Sequence, residues 1–411
     1  PCGNVLVISD STMTCVTGAG EGLADAKICI TEGNTDRCQT LVAAFTYVAL
    51  FLGGASGEEN IGGFLAMLPA KPASNFTESR LSFSLQTAQS TFSSTVTAIA
   101  RYRETVFLAG SFISASGNSV GYVVAWDGIS SHRLGYGVDS SIRALHVVND
   151  TLVVGGSFTR AFRSEGGALT TGGLASWNGS AWSLFGGTQM DGVVTALASR
   201  GDMLFIAGKF RDGAPSACLG VCSYGQAGWQ PLGSGIRGGT IMSMLATSES
   251  LYVGGTFVMA GEVRVKGIAE WYSNSWRALG AVQGSVQSLA LLGEHLYVGG
   301  EFRVAADRRM NNLGRLHTVS GTWSTVGEGM NGGVHALFPI DSCLYIGGAF
   351  SLPSPYLARF CIQPFNDSAV EFESLPDARA PGPVRVMVPS EISVHEADLL
   401  CTFADKPSTC T

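Results

Sequence analysis

Leu251-Tyr252-Val253-Gly254-Gly255-Thr256-Phe257 decides the fold, because the chain repeats it. Close copies run Leu296–Phe302 and Leu344–Phe350, and looser ones Val106–Phe112, Leu152–Phe158 and Leu204–Phe210. Counted on the closing Phe, the spacings are 46, 52, 47, 45 and 48 residues. A near-constant period of this size marks one supersecondary unit copied many times, and propeller blades recur at about 40–50 residues.

Each copy brings the same neighbours. Ahead of it stands a short alternating strand: Val96–Ala100, Ile142–His146, Val194–Ala198 or Val286–Ala290. Behind it, after a variable loop, comes a third strand such as Val123–Trp126, Leu174–Trp177 or Ile268–Trp271. That strand often ends in a tight turn, as at Asp127-Gly128 and Asn178-Gly179, where Asp-Gly and Asn-Gly supply positive φ angles. A fourth strand carries Trp and then an apolar residue before Gly: Trp182–Gly186, Trp229–Gly233, Trp276–Gly280 and Trp323–Gly327; the copy at His132–Gly135 lacks the Trp. Four short strands in a row make an antiparallel blade. The recurring Phe and Trp read as plugs between neighbouring sheets, and the glycines as points of close backbone approach. A faded seventh copy is expected near the start, with Val42–Val48 as first strand, Phe51–Ser56 as the Gly-Gly strand, and Phe64–Leu68 and Leu81–Leu85 completing it. The expected fold is all-β, a seven-bladed propeller over 40–375, with six blades and an extra hairpin as the alternative. The strand that closes the ring is not visible in the sequence.

Leu251–Gly255, followed by Ile268–Trp271 and Trp276–Gly280, resembles a Kelch-type repeat. It is closer to the repeats of fungal cortical polarity-marker (Rax-type) proteins, where Gly-Gly-x-Phe and Trp-x-x-Leu-Gly strands recur. The resemblance implies a propeller and implies no particular activity, since propellers host many roles.

The ends read differently. Within 1–39, Pro1–Cys15 resembles the second half of an IPT/TIG domain, an immunoglobulin-like sandwich, with the following loop Thr17–Gly22 lacking the usual Pro pair. In 376–411, Pro381–Pro389 reads as a stiff linker running into a strand, and Glu391–Phe403 as the start of a further sandwich. The chain is therefore expected to be a window cut from a modular ectodomain.

Charged residues make up only 14% of the chain and the net charge is −7. An ordinary domain carries about 25% charged residues, so glycans or burial in an assembly are expected to cover this surface. No basic run suggests nucleic acid, and the longest apolar run, Leu41–Leu52, is shorter than the roughly 20 residues that span a bilayer. Ten cysteines and four Asn-x-Ser/Thr sequons, at Asn75, Asn149, Asn178 and Asn366, point to an oxidising, secretory route and an extracellular or cell-surface location. Local pairing gives Cys2–Cys15, Cys29–Cys38, Cys218–Cys222, Cys343–Cys361 and Cys401–Cys410.

The sequence offers no catalytic set, cofactor motif or metal site. His132, His146, His295, His317, His335 and His395 form no ligand pattern. His146 and His335 both fall in first strands, three positions apart on alignment, and simple alternation sends them to opposite faces. Copper-radical oxidases share a Kelch-like propeller, but their Tyr/Cys and paired-His set has no match here. The expected function is structural, as a non-enzymatic module of an extracellular assembly such as a flagellar hair, with other subunits or modules as partners. The alternative is a glycan- or receptor-binding propeller that uses the loops Arg160–Thr171 and Ala305–Leu313.

Overall fold

The computed structural model describes residues 26–32, 35–41, 47–55, 63–69, 86–87, 92–103, 105–115, 117–126, 131–210, 218–362, 372–374 and 383–392. The chain forms two compact units. One comprises Pro1–Ala49, Pro69–Leu81 and Pro389–Thr411, and the other Leu50–Leu68 and Ser82–Val388. In the first, Ala26–Glu32 and Thr35–Leu41 pair as an antiparallel hairpin with Cys29 opposite Cys38.

Among the described residues the architecture is all-β with antiparallel strand pairs, and one short 3-10 turn stands at Phe185–Gly187. The described strands build six four-stranded sheets and one of five strands, beside smaller two- and three-stranded pieces. Sheet I contains Tyr47–Ala55, Gly63–Pro69 and Gln86–Thr87. Sheet II runs from Val96–Tyr102 to Ser131–Arg133, and sheet III from Ile142–Val148 to Trp182–Ser183. Sheet IV runs from Gly192–Arg200 to Gly228–Pro231, and sheet V from Ile241–Ala246 to Ser275–Ala278. Sheet VI runs from Val282–Leu292 to Trp323–Thr325, with the short Arg308–Arg309 attached, and sheet VII from Val334–Ile340 to Glu373–Ser374. Within each of sheets II to VII the strands pair in chain order.

First strands of successive sheets lie side by side and run the same way. Near their starts, Thr97 Oγ1 donates to the Ile142 carbonyl at 2.7 Å and Thr195 Oγ1 to the Ile241 carbonyl at 2.6 Å. Near their ends, Arg200 Nε donates to the Thr247 carbonyl at 2.6 Å. In sheets II to VII the described first-to-second and third-to-fourth turns therefore gather at one end of the sheets, called here the hairpin end. Second-to-third connections and the passages between sheets gather at the other, the crossover end.

Sheet I departs from expectation. Tyr47–Ala55 is its second strand, not the Gly-Gly half of a hairpin begun at Val42; its first strand is Val384–Ile392, from the far end of the chain. The segment read as linker and sandwich start thus supplies a sheet strand. The reason lies in its sequence. Val384 packs over Gly347 as Val334 packs over Gly299 and Val286 over Gly254, so Val-Arg-Val-Met carries the side chains that a first strand needs. The pairing also covers the edge of Tyr47–Ala55, which would otherwise stand open to another chain.

The two glycines of the repeat have different jobs. A Cβ on the first would fall 2.3–2.5 Å from a Val Cγ1 of the next sheet, at Gly155, Gly254, Gly299 and Gly347. A Cβ on the second would fall 2.0–2.4 Å from a backbone carbonyl of its own sheet, as at Gly110, Gly156, Gly208, Gly255, Gly300 and Gly348. That carbonyl stands so close because each first strand carries a β-bulge there, between Val96 and Ala98, Ile142 and Ala144, Val194 and Ala196, Ile241 and Ser243, Val286 and Ser288, and Val334 and Ala336. The Phe after the glycines is buried in all six copies. The fourth-strand Trp fastens sheet to sheet: Nε1 of Trp182, Trp276 and Trp323 donates to the carbonyl of Leu134, Leu232 and Leu279, at 2.8, 3.0 and 2.6 Å.

Candidate functional site

The bulges place one extra side chain at the start of each first strand: Thr97, Arg143, Thr195, Met242, Gln287 and His335. Arg385 holds the corresponding place in the chain, next after the Val384 that covers Gly347. Because first strands are neighbours, these residues form a row across successive sheets at the crossover end.

Several of them reach the next sheet. The Thr97 and Thr195 hydroxyls do so through backbone carbonyls, as above. In sheets VI, VII and I the link is a directed chain. Arg385 Nη1 donates to His335 Nε2 at 3.3 Å, His335 Nδ1 donates to Gln287 Oε1, and Gln287 Nε2 donates to Ser285 Oγ at 3.2 Å. This order requires a neutral imidazole with its proton on Nδ1. The electrostatics agree: burial first, and then the Arg385 charge, push the His335 pKa down to about 4, against the opposing pull of Glu301. Arg143 Nε lies 3.3 Å from Ser157 Oγ and its side chain stays exposed.

His146 is held elsewhere. Its Nε2 meets Ser199 Oγ of the next sheet at 2.8 Å, and burial lowers its pKa. Simple alternation does not put His146 and His335 on opposite faces. A bulge inserts one residue into the alternation, so His335 in the bulge and His146 beyond one both face the following sheet. They remain apart because they belong to sheets VII and III. Among the described residues no three His, Cys, Asp or Glu side chains gather as a metal site.

The long loops named from the sequence are hairpins at the crossover end. Arg160–Phe162 pairs with Ala168–Thr170, and Arg308–Arg309 pairs back onto Val304 and Ala305. Short polar side chains ahead of the first strand anchor this end. The Asp139 carboxylate accepts from the Thr159 and Arg160 amides at 2.7 and 3.0 Å and from the Thr159 hydroxyl at 2.7 Å; burial raises its pKa, but these bonds, the hydroxyl's foremost, hold it below the usual carboxylate range. Asn331 Oδ1 accepts from the Ser351 and Leu352 amides at 2.9 and 3.1 Å. Tyr136, Phe162, Arg163, Gly166, Gly167 and Ala168 line a shallow open groove of about 290 Å³ here. The sequence did carry a signal for these anchors in sheets II, III and VII, where Ser93, Asp139 and Asn331 stand three residues before Val96, Ile142 and Val334, but only the register shows what each caps.

Among the described side chains, disulfides join Cys218 to Cys222 and Cys343 to Cys361. Cys343 and Cys361 are direct cross-strand partners. Bonds of this kind mark a chain folded in an oxidising compartment. No helix among the described residues is long and apolar enough to cross a membrane. Asn149 and Asn178 are exposed, in the first-to-second and third-to-fourth turns of sheet III. Asn75, Asn366, Cys2, Cys15, Cys401, Cys410 and His395 lie outside the described residues.

No protein-family model matches the chain, and no curated protein matches its sequence. Solved structures do resemble it. A protein from Lactobacillus plantarum is 12% identical over 84% of this chain and 100% of its own, with a TM-score of 0.49. The computationally designed Ika8 protein is 13% identical over 86% of this chain and 97% of its own, with a TM-score of 0.46. A protein from Bacteroides fragilis, provisionally named a 6-phosphogluconolactonase, is 11% identical over 84% of this chain and 98% of its own, with a TM-score of 0.44. At this distance none of them assigns an activity to the chain.

Proposed function

We propose that the second unit is a seven-bladed, Kelch-like propeller closed by Val384–Ile392, and that it acts as a rigid, non-enzymatic scaffold in a secreted or cell-surface glycoprotein assembly. An extracellular filament is one form of such an assembly. In this reading 1–39 is an IPT/TIG-like half-sandwich, and the residues after the closing strand begin a further module. The observation that carries the proposal is the use made of the bulge residues. In a ring they stand where a central ligand would be held, yet Thr97, Thr195, Gln287 and His335 are engaged in bonds from one sheet to the next. A device that stiffens the ring fits a structural part. The disulfides and exposed sequons fit secretion.

The test uses native material. Enzymatic removal of N-glycans should lower its mass, and light scattering should show more than one chain per particle at rising concentration. An unglycosylated protein that stays a single chain at every concentration contradicts the proposal.

A further inference from the structure

The two ends of sheets II to VII differ in chemistry. At the hairpin end the first-to-second turns expose Asp150, Asp202, Glu249, Glu294 and Asp341 in five successive sheets. Both described sequons, Asn149 and Asn178, stand at this end.

The crossover end is the reverse. None of its described residues is a sequon Asn, and exposed cations outnumber exposed acids there. Arg143, Lys209 and Arg385 are exposed near the first strands, and Lys266, Arg308 and Arg309 on the connections. Part of the acid is already engaged: Glu262 binds Arg237 at 3.0 Å, and Asp139 caps a loop. Exposed apolar side chains also concentrate here, with Ile113, Tyr136, Met242, Val258 and Leu352, against Met203 and Val319 at the hairpin end. Arginine, methionine and tyrosine are enriched where proteins meet, and charged groups such as lysine and carboxylates are kept to the polar rim of the contact.

We infer that the crossover end is the docking face of this chain, and that its partner is a different protein presenting carboxylates around apolar groups. The inference rests on the scaffold reading above and names the face that the scaffold uses. Charge complementarity selects the occupant. A second copy docked through the same face would set like charges against each other. A second copy docked through its hairpin end would bring glycan acceptor sites into the contact, and a glycan there is bulky. The exposed aliphatic side chains favour a protein over an acidic polysaccharide, which offers them nothing to bury against.

The sequence supplies its own probe. Lys209 and Lys266 are the only lysines between residues 72 and 405, and both lie at the crossover end. A water-soluble carbodiimide joins lysine amines to carboxylates in direct contact. Native assembled material is treated with it, digested and read by mass spectrometry; a second sample is dissociated into single chains first. The expected result is Lys209 and Lys266 linked to Asp or Glu of another polypeptide, with the links lost on prior dissociation. Acylation of the two lysines by a succinimidyl ester should drop several-fold in the assembly. Links to Asp150, Asp202 or Glu249 of a second copy, links to sugar carboxylates, or equal acylation in both samples would overturn the inference while leaving the scaffold intact. Native material that is never larger than one chain overturns the scaffold reading, and the docking face with it.

Discussion

The two glycines of each repeat look alike in sequence and differ in what surrounds them. A methyl on Gly254 meets a side chain, Val286 Cγ1 at 2.3 Å, whereas a methyl on Gly255 meets the Thr240 carbonyl at 2.0 Å. A side chain yields and a bulged backbone does not; Ala109 and Ala207 already occupy the first position in sheets II and IV. Gly254→Ala should therefore cost about 1–2 kcal/mol, and Gly255→Ala clearly more, read as the shift in denaturant midpoint; equal costs contradict the assignment. The Trp residues divide in the same way. The Trp276 indole has its carbonyl partner, while Trp229 Nε1 is buried without one, because Phe185 and Gly186 stand where the Leu-Gly carbonyl is offered elsewhere. Trp276→Phe should cost about 1 kcal/mol more than Trp229→Phe, which thermal unfolding of the two variants measures. His335 gives a pH effect. Its pKa is near 4 when folded, against an ordinary 6.5, so between those values the unfolded chain binds a proton that the folded chain refuses. Stability is intact above pH 6.5, falls as the pH drops toward 4, and levels off below; the total is at most about 3 kcal/mol. His335→Gln should flatten that slope in urea titrations at successive pH values, and an unchanged slope removes His335 as its source. The motif residues were legible in the sequence, and so was the burial of the Phe and Trp plugs. The bulge was not: it is a backbone event whose only written trace is the second glycine.

At the scale of the element, strand type and order could be read because each strand repeats its own pattern six times. Where evidence came once, the reading slipped. The faded copy near the start offered Tyr47–Ala55 with no clear strand before it, and Val42–Val48 was the nearest apolar run. The true partner, Val384–Ile392, lies more than 300 residues away, and proximity in sequence says nothing about such a pairing. Its Val-Arg-Val alternation was visible, but two flanking prolines made it look like a linker. A chain ending at Gly382 leaves Gly347 uncovered and Tyr47–Ala55 with a bare edge. It should lose several kcal/mol of stability, since a row of ladder bonds and the contacts of Val384 and Met387 go together. Circular dichroism melting checks this, and an unchanged midpoint would show the strand to be ornamental. The candidate site follows the same rule. The loops with long insertions could be located, while the row of side chains beside them depended on register.

For the whole molecule, composition spoke early and coarsely. Low charge, ten cysteines and four sequons suggested a covered surface in an oxidising compartment. The division of that surface into an acidic, sequon-bearing end and a cationic, apolar-dotted end was hidden, because turns alternate between the ends along the chain and mix both chemistries in every repeat. Only the parallel alignment of first strands sorts them. Everything above, from the fastening of His335 to the definition of the two ends, depends on the sheets forming one ring closed by the far end of the chain. Amide hydrogen exchange tests this most directly. The account predicts that the amides of Val384–Val388 exchange as slowly as those of Val286–Ala290, an interior first strand, and are released only with global unfolding. Fast exchange across Val384–Val388, beside full protection of sheets II to VII, would contradict it.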